Sequence, residues 1–188
     1  MAGLALLLCT AALSYIAVAC AKRWALVHGI MDIPNARSSH TRAMPRAGGM
    51  GMVAAFVVAF VIAVAPSSSV STPVWVMLLG ALSVAAIGLI DDLRHLSARA
   101  RFLVHLVAAV SAVAAGVRVE SLTLEPFGAI PLGPLGGILS VLWLVGVTNI
   151  YNFMDGIDGI AAGVAVLASA GLGIIASLRG DALLLILA

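Results

Sequence analysis

Carboxylates at the ends of apolar runs are costly to keep, which makes them informative about chemistry. Asp91-Asp92 directly follows Ile90, and Arg94, Arg99 and Arg101 come within the next ten residues. Two adjacent carboxylates repel each other unless a cation or a basic side chain offsets them. An isolated pair could be a solvated helix end. Acid for a metal and base for a phosphate, gathered at one boundary, point instead to a polar site. A second group, Asn152, Asp155 and Asp158, recurs every three residues. A helical segment would set these three near one face, and Gly156 and Gly159 would let the backbone approach a ligand. Hard oxygen donors at this density suit Mg²⁺, which takes one or two carboxylates plus phosphate oxygens and water. Capping of a helix that starts at Ile160 would need only one acid, and here there are two beside an Asn.

A third group is Arg37-Ser38-Ser39-His40-Thr41-Arg42 with Pro45-Arg46-Ala47-Gly48-Gly49. Arg, Ser and His donors followed by glycines that open a helix are what an anionic phosphate requires, because free N–H groups and the helix dipole point at it. The arginines alone could serve as topology signals, so the force of this loop comes from sharing a membrane face with the acids. His105 lies one turn into an apolar run, where an ionisable residue is a functional candidate; an interfacial histidine touching lipid headgroups is the equal alternative. His28, His40 and His95 lie in loops, and no His/Cys spacing suggests zinc.

The elements that must hold these residues are membrane helices. The chain has 188 residues, 63% hydrophobic and 10% charged, with a mean hydropathy of +1.18, whereas a soluble domain carries about 25% charge. Apolar runs cover 2–21, 48–65, 74–90, 102–117, 132–150 and 160–178, each near the ~17–25 residues that cross the hydrocarbon as a helix. Alternation of apolar and polar residues, the mark of a barrel, is missing. The expected fold is an all-α polytopic transmembrane helix bundle, a single membrane domain over residues 1–188 with about six complete spans. A seventh run begins at Ala182 and covers roughly a third of the core by Ala188, so the chain reads as truncated.

Lys22, Arg23, Arg37, Arg42, Arg46, Arg94, Arg99 and Arg101 fall in alternate loops, and only Arg118 and Arg179 on the other side. The positive-inside rule makes the charged loops cytoplasmic and the N-terminus external. These bases follow the topology pattern, and the net charge of +2 gives no sign of a nucleic-acid partner. The first run lacks a basic n-region and is long for a signal peptide, so it reads as a retained span. Cys9 and Cys20 are too far apart on one helix to pair and should pack as small hydrophobes. Residues 22–46 read as an irregular loop, and 121–134, rich in Pro and Gly, as an extended external loop at the interface. Gly133/Gly137 and Gly159/Gly163 are small-xxx-small pairs that suggest close helix packing. No internal repeat of the inverted-topology kind is visible.

The segments Asn149-Ile150-Tyr151-Asn152-Phe153-Met154-Asp155-Gly156-Ile157-Asp158-Gly159, Asp91-Asp92 and Leu96-Ser97-Ala98-Arg99-Ala100-Arg101-Phe102-Leu103 together resemble the polyprenyl-phosphate N-acetylhexosamine-1-phosphate transferases. That family includes the translocase of peptidoglycan lipid assembly and the enzymes that start O-antigen, common-antigen and teichoic-acid linkage units. The resemblance spans about residues 32–163. It implies attack of undecaprenyl phosphate on the β-phosphorus of a UDP-N-acetylhexosamine, with release of UMP and with Mg²⁺ (or Mn²⁺) neutralising the diphosphate. It also implies a multi-pass protein of the bacterial cytoplasmic membrane in contact with its lipids, often a homodimer, with a cytoplasmic site. Asp91, Asp92, Asp155 and Asp158 match the family's catalytic acids, and Asn152 matches its Mg²⁺-binding residue. Arg101 stands where the translocase branch has a phosphate-contacting Lys, and presents a fork in place of a point charge. Arg37, Ser38, His40, Arg46, Gly48, Gly49 and Asn149 are the further substrate-binding candidates. Arg-Ser-Ser-His with Pro-Arg-x-Gly-Gly resembles the polysaccharide-initiating branch, which favours UDP-GlcNAc or a related 6-deoxy amino sugar.

His105 departs from the Gln of many members. The family also draws a metal-binding Asp and a His-containing loop from later cytoplasmic segments, so the chain is expected to be the N-terminal part of a longer transferase. Two other readings compete. A UbiA-type prenyltransferase would place its Asp-rich motifs near helix centres in paired repeats, and a cation transporter would place carboxylates near mid-membrane. Here the acids sit at the boundaries. The 188 residues alone are expected to be inactive, and UMP release by the purified chain is the check.

Overall fold

The computed structural model describes residues 2–32, 43–45, 48–64, 70–94, 96–154 and 159–181. Helices α1 (Ala2–Val27), α2 (Gly48–Val64), α3 (Thr72–Arg94), α4 (Ala98–Ala114), α5 (Pro134–Met154) and α6 (Ile160–Arg179) follow the apolar runs. Among the described residues, four helices are long and apolar enough to cross a membrane, over Ala5–Val27, Thr72–Arg94, Pro134–Asn152 and Ile160–Arg179. The helical membrane-protein class therefore holds. Helices α2 and α4 have 17 residues each, roughly 26 Å at 1.5 Å per residue, the short end of what spans a bilayer.

The loops hold more structure than expected. Helix α1 runs past Lys22 and Arg23 to Val27, so both bases are helical. Strands β1 (Met31–Asp32) and β2 (Met44–Pro45) then pair antiparallel. The stretch expected as an extended loop is an antiparallel hairpin, β3 (Ser121–Leu124) with β4 (Gly128–Pro131). Its pattern alternates Leu122 and Leu124 with Ser121 and Thr123, a strand period that Pro and Gly obscured.

Two compact units make up the chain, Ser69–Tyr151 in one and Met1–Ser68 with Asn152–Ala188 in the other. In each, small residues make up most of the interior, beside Phe60 and Val64 in one unit and Val145 in the other, and large residues cover the exterior. Ala25, Ala55, Ala109, Ala112 and Ala176 are buried, while Leu167, Trp143 and Leu178 are exposed, Leu178 at 83%. A lipid solvent removes the penalty for exposed leucines, and helix association then depends on close backbone approach by small residues.

Of the glycines paired in the sequence, Gly137 borders another helix, a Cβ there standing 3.6 Å from a Val113 methyl of α4, while the other three do not. Gly133 and Gly159 adopt positive φ beside helix starts, and neither they nor Gly163 have a neighbour within 4 Å of a built Cβ. Close contact falls on Gly51, where a Cβ would meet the backbone of Ala17 and Val18 in α1, and on Gly136, where it would meet the Val119 carbonyl. Cys9 and Cys20 are free and exposed on α1 rather than packed inside, because α1 turns its Ala17, Val18 and Ala25 side inward.

Gly51→Ala should force α1 and α2 apart and cost about 1–3 kcal/mol, the usual range for overpacking. Gly80→Ala, whose Cβ would sit 3.5 Å from the Ala108 methyl, should be neutral or slightly stabilising. Thermal unfolding of the two variants in detergent checks the contrast.

Candidate active site

Two carboxylates in the last turn of α3 sit at the negative end of the helix dipole, where helix stability alone would disfavour them. The turn that follows offsets this. The backbone amide of Leu96 donates to Asp91 Oδ1 at 2.7 Å, and Arg101 Nη1 donates to Asp91 Oδ2 at 2.5 Å. Ser97 caps α4 by accepting from the Ala100 amide at 3.3 Å. One carboxylate thus closes the α3–α4 connection and sets Arg101 one turn into α4.

Arg101 and Asp91 keep 33% and 23% of their side-chain surface exposed, so the pair is reachable from outside. A guanidinium has five N–H donors and Asp91 takes one, leaving a fork for an anionic group. Asp92 is half-buried beside it and has an interaction of its own. The acidic pair is therefore unequal: both Asp91 oxygens are committed to organising the turn.

His105 follows Arg101 by one turn on α4 and is buried, 7% exposed. That excludes the headgroup-facing alternative. Its Nδ1 has no hydrogen-bond partner among the described residues.

The other expected site residues divide by place. Asn149 is half-buried near the end of α5 and donates its amide to the Val145 carbonyl at 2.7 Å, so its nitrogen is occupied within its own helix. Asn152 is exposed in the last turn of α5 and belongs to the unit containing residues 152–188. Gly48 and Gly49 open α2 with nothing within 4 Å of a built Cβ, which leaves its first turn accessible. Arg37, Ser38, His40, Arg46, Asp155 and Asp158 lie outside the described residues. Helix α6 begins after Gly159 in the left-handed conformation, so the N-cap position is held by a glycine and not by an acid. Among the described residues, no three His, Cys, Asp or Glu side chains converge.

The roles of the Leu96 amide and of the Ser97 cap escaped sequence reading. The cap had a signal, a Ser directly before an Ala-Arg-Ala-Arg helical start; the Leu96 amide, a backbone donor, had none.

The family model of glycosyl transferase family 4 matches residues 74–188, which include Asp91, Asp92, Arg101, Asn149, Asn152, Asp155 and Asp158 but not the first charged loop. The chain is also similar to a Bacillus subtilis (strain 168) protein named "Probable undecaprenyl-phosphate N-acetylglucosaminyl 1-phosphate transferase", at 33% identity over 106 residues. The alignment covers 56% of this chain and 28% of that protein, so the chain spans well under half of the relative.

Burial of an unpaired polar atom costs about 1–3 kcal/mol. His105→Leu should therefore raise the thermal stability of the chain by about 1 kcal/mol or more, and an unchanged or lowered unfolding midpoint would show that Nδ1 is satisfied in the membrane.

Proposed function

The chain belongs to glycosyl transferase family 4, and we propose that it serves the transfer of an N-acetylhexosamine 1-phosphate, N-acetylglucosamine or a related amino sugar, from a UDP-sugar to undecaprenyl phosphate. The observation that carries this reading is the Asp91–Arg101 pair at the end of a membrane helix, inside the segment that the family model matches. The name of the relative, with its undecaprenyl phosphate and N-acetylglucosaminyl 1-phosphate, supports the choice of acceptor and of transferred group.

In this reaction an oxygen of the lipid phosphate attacks the β-phosphorus of the UDP-sugar. The bond from that phosphorus to the bridging oxygen breaks, and UMP leaves with the oxygen. Phosphoryl transfer needs positioning and charge stabilisation more than covalent chemistry. Arg101, held by Asp91, is suited to receive a phosphate on its remaining N–H donors. Asp92 would orient the lipid phosphate, and Asn149 and the first turn of α2 at Gly48-Gly49 would bind substrate.

The donor chemistry fits Mg²⁺, with Mn²⁺ as a substitute, since every candidate ligand is a hard oxygen. Such an ion typically keeps positions for phosphates and water. Asn152 is the residue that would hold it, with Asp155 and Asp158 as further oxygen donors close by in the sequence. When bound, the ion would neutralise the diphosphate charge. The excess of Lys and Arg in the loops on the acidic side supports a site at the cytoplasmic face of a bacterial inner membrane. There it would carry out the first membrane step of cell-envelope polysaccharide synthesis.

Membranes containing the full-length protein, given undecaprenyl phosphate, Mg²⁺ and a panel of radiolabelled UDP-N-acetylhexosamines, should yield a butanol-extractable sugar diphospholipid from one donor. Asp158→Asn or removal of Mg²⁺ should abolish it, and Arg101→Ala should lower the rate by about 10²–10³, the usual loss for one charge-stabilising contact. No lipid product from any sugar, with folded protein in the membrane, would return the assignment to a prenyltransferase or a transporter.

A further inference from the structure

The β3–β4 hairpin connects the end of α4 to the start of α5, at the end of its unit opposite the α3–α4 turn with Asp91 and Arg101. Its register pairs Leu122 with Ile130, Leu124 with Gly128, Ser121 with Pro131 and Thr123 with Ala129. Directly opposed residues share a face. One face therefore carries Leu122, Leu124 and Ile130, and the other Ser121, Thr123, Ala129 and Pro131. Phe127 stands at the turn, 79% exposed, and every residue from 121 to 131 is exposed. An isolated two-stranded hairpin is marginal in water, so a surface that covers its apolar face would stabilise it.

What lies beside that face follows from where the hairpin is rooted. The Val119 amide donates to Ser140 Oγ at 2.9 Å, and that hydroxyl donates to the Gly136 carbonyl at 2.7 Å. Gly136 has no room for a Cβ against the Val119 carbonyl, and the Leu132 amide closes the base on the Glu120 carbonyl at 2.9 Å. The root is thus fixed to the first two turns of α5. The span Pro134–Asn152 has 19 residues, roughly 28 Å against a hydrocarbon core of ~30 Å. Helix α5 as a whole has 21 residues, roughly 31 Å, which matches that thickness closely, so its first turn lies at the hydrocarbon boundary and the hairpin starts there. Strands of four residues reach about 13 Å. Unless the hairpin stands upright, its whole length stays in the polar layer of the bilayer, where Arg118 and Glu120, 3.8 Å apart, remain hydrated.

We propose that the β3–β4 hairpin is a membrane-surface anchor, with Leu122, Leu124, Ile130 and Phe127 set into the phospholipid interface and Ser121 and Thr123 facing water. The anchor fixes the height of α5 in the bilayer. A rigid span matched this closely to the hydrocarbon thickness carries any vertical slip straight to Asn149 and Asn152 at its other end.

The test uses the full chain with Cys9→Ala and Cys20→Ala, two exposed positions on α1, and a single nitroxide-labelled cysteine replacing Leu124, Phe127 or Thr123, in phospholipid nanodiscs. Labels at 124 and 127 should collide more with oxygen than with a water-soluble nickel chelate, and the label at 123 should show the reverse. Equal chelate access at all three positions, or a label at 127 shielded from both reagents, would overturn the proposal in favour of water or of a second copy of the chain. With the cysteines left intact, a photoreactive benzoyl-phenylalanine replacing Phe127 should give phospholipid adducts; their absence overturns the proposal independently of labelling and of any catalytic assay.

Discussion

The carboxylate of Asp91 accepts from the Leu96 amide and from Arg101, and the geometry of the candidate site depends on those two bonds. Without them, the connection between α3 and α4 would have two adjacent negative charges at the negative pole of a helix and nothing to direct the arginine. With them, repulsion within the acidic pair and the unfavourable dipole are offset by a cation ten residues away in sequence. The same bonds bring the start of α4 to a defined place. Charged hydrogen bonds of this kind gain strength where water is scarce, and a membrane boundary is such a place.

That arrangement divides labour between neighbours that look alike. Asp91 is spent on architecture, so it influences a ligand chiefly through Arg101. Asp92 keeps its own interaction and occupies a different position on α3. On α4, one turn beyond Arg101, His105 is buried with its Nδ1 unpaired among the described residues, an expense that packing alone does not explain. Local costs that buy no stability tend to gather at functional sites, and here they gather on one end of one helical hairpin.

The remainder of the molecule is built for lipid. Alanines and glycines make up much of the contact between helices, with Phe60, Val64 and Val145 also buried, and most of the large apolar side chains look outward. Gly51 and Gly136 matter because backbone, not a flexible side chain, stands where a Cβ would go. Gly136 also ties the fold to the connection above it. Its close approach to Val119 seats the root of the β3–β4 hairpin on α5, so the far boundary of the unit is as defined as the near one.

Hydropathy alone determined the membrane class and the six helices, because crossing a bilayer demands a long uninterrupted apolar run that few other structures need. Residue type and position likewise singled out Asp91, Asp92 and Arg101, since ionisable groups at such boundaries are expensive and rare. Tertiary structure decided what composition could not express. The hairpin at 121–131 depends on pairing between strands, which glycine and proline content had hidden. Which glycines permit close packing depends on what lies opposite, so Gly51 and Gly136 were invisible while Gly133 and Gly159 turned out to serve backbone conformation. The inequality of Asp91 and Asp92 comes from a backbone amide and from the direction of one guanidinium. A sequence records which groups are present, and only the folded chain decides which of them meet.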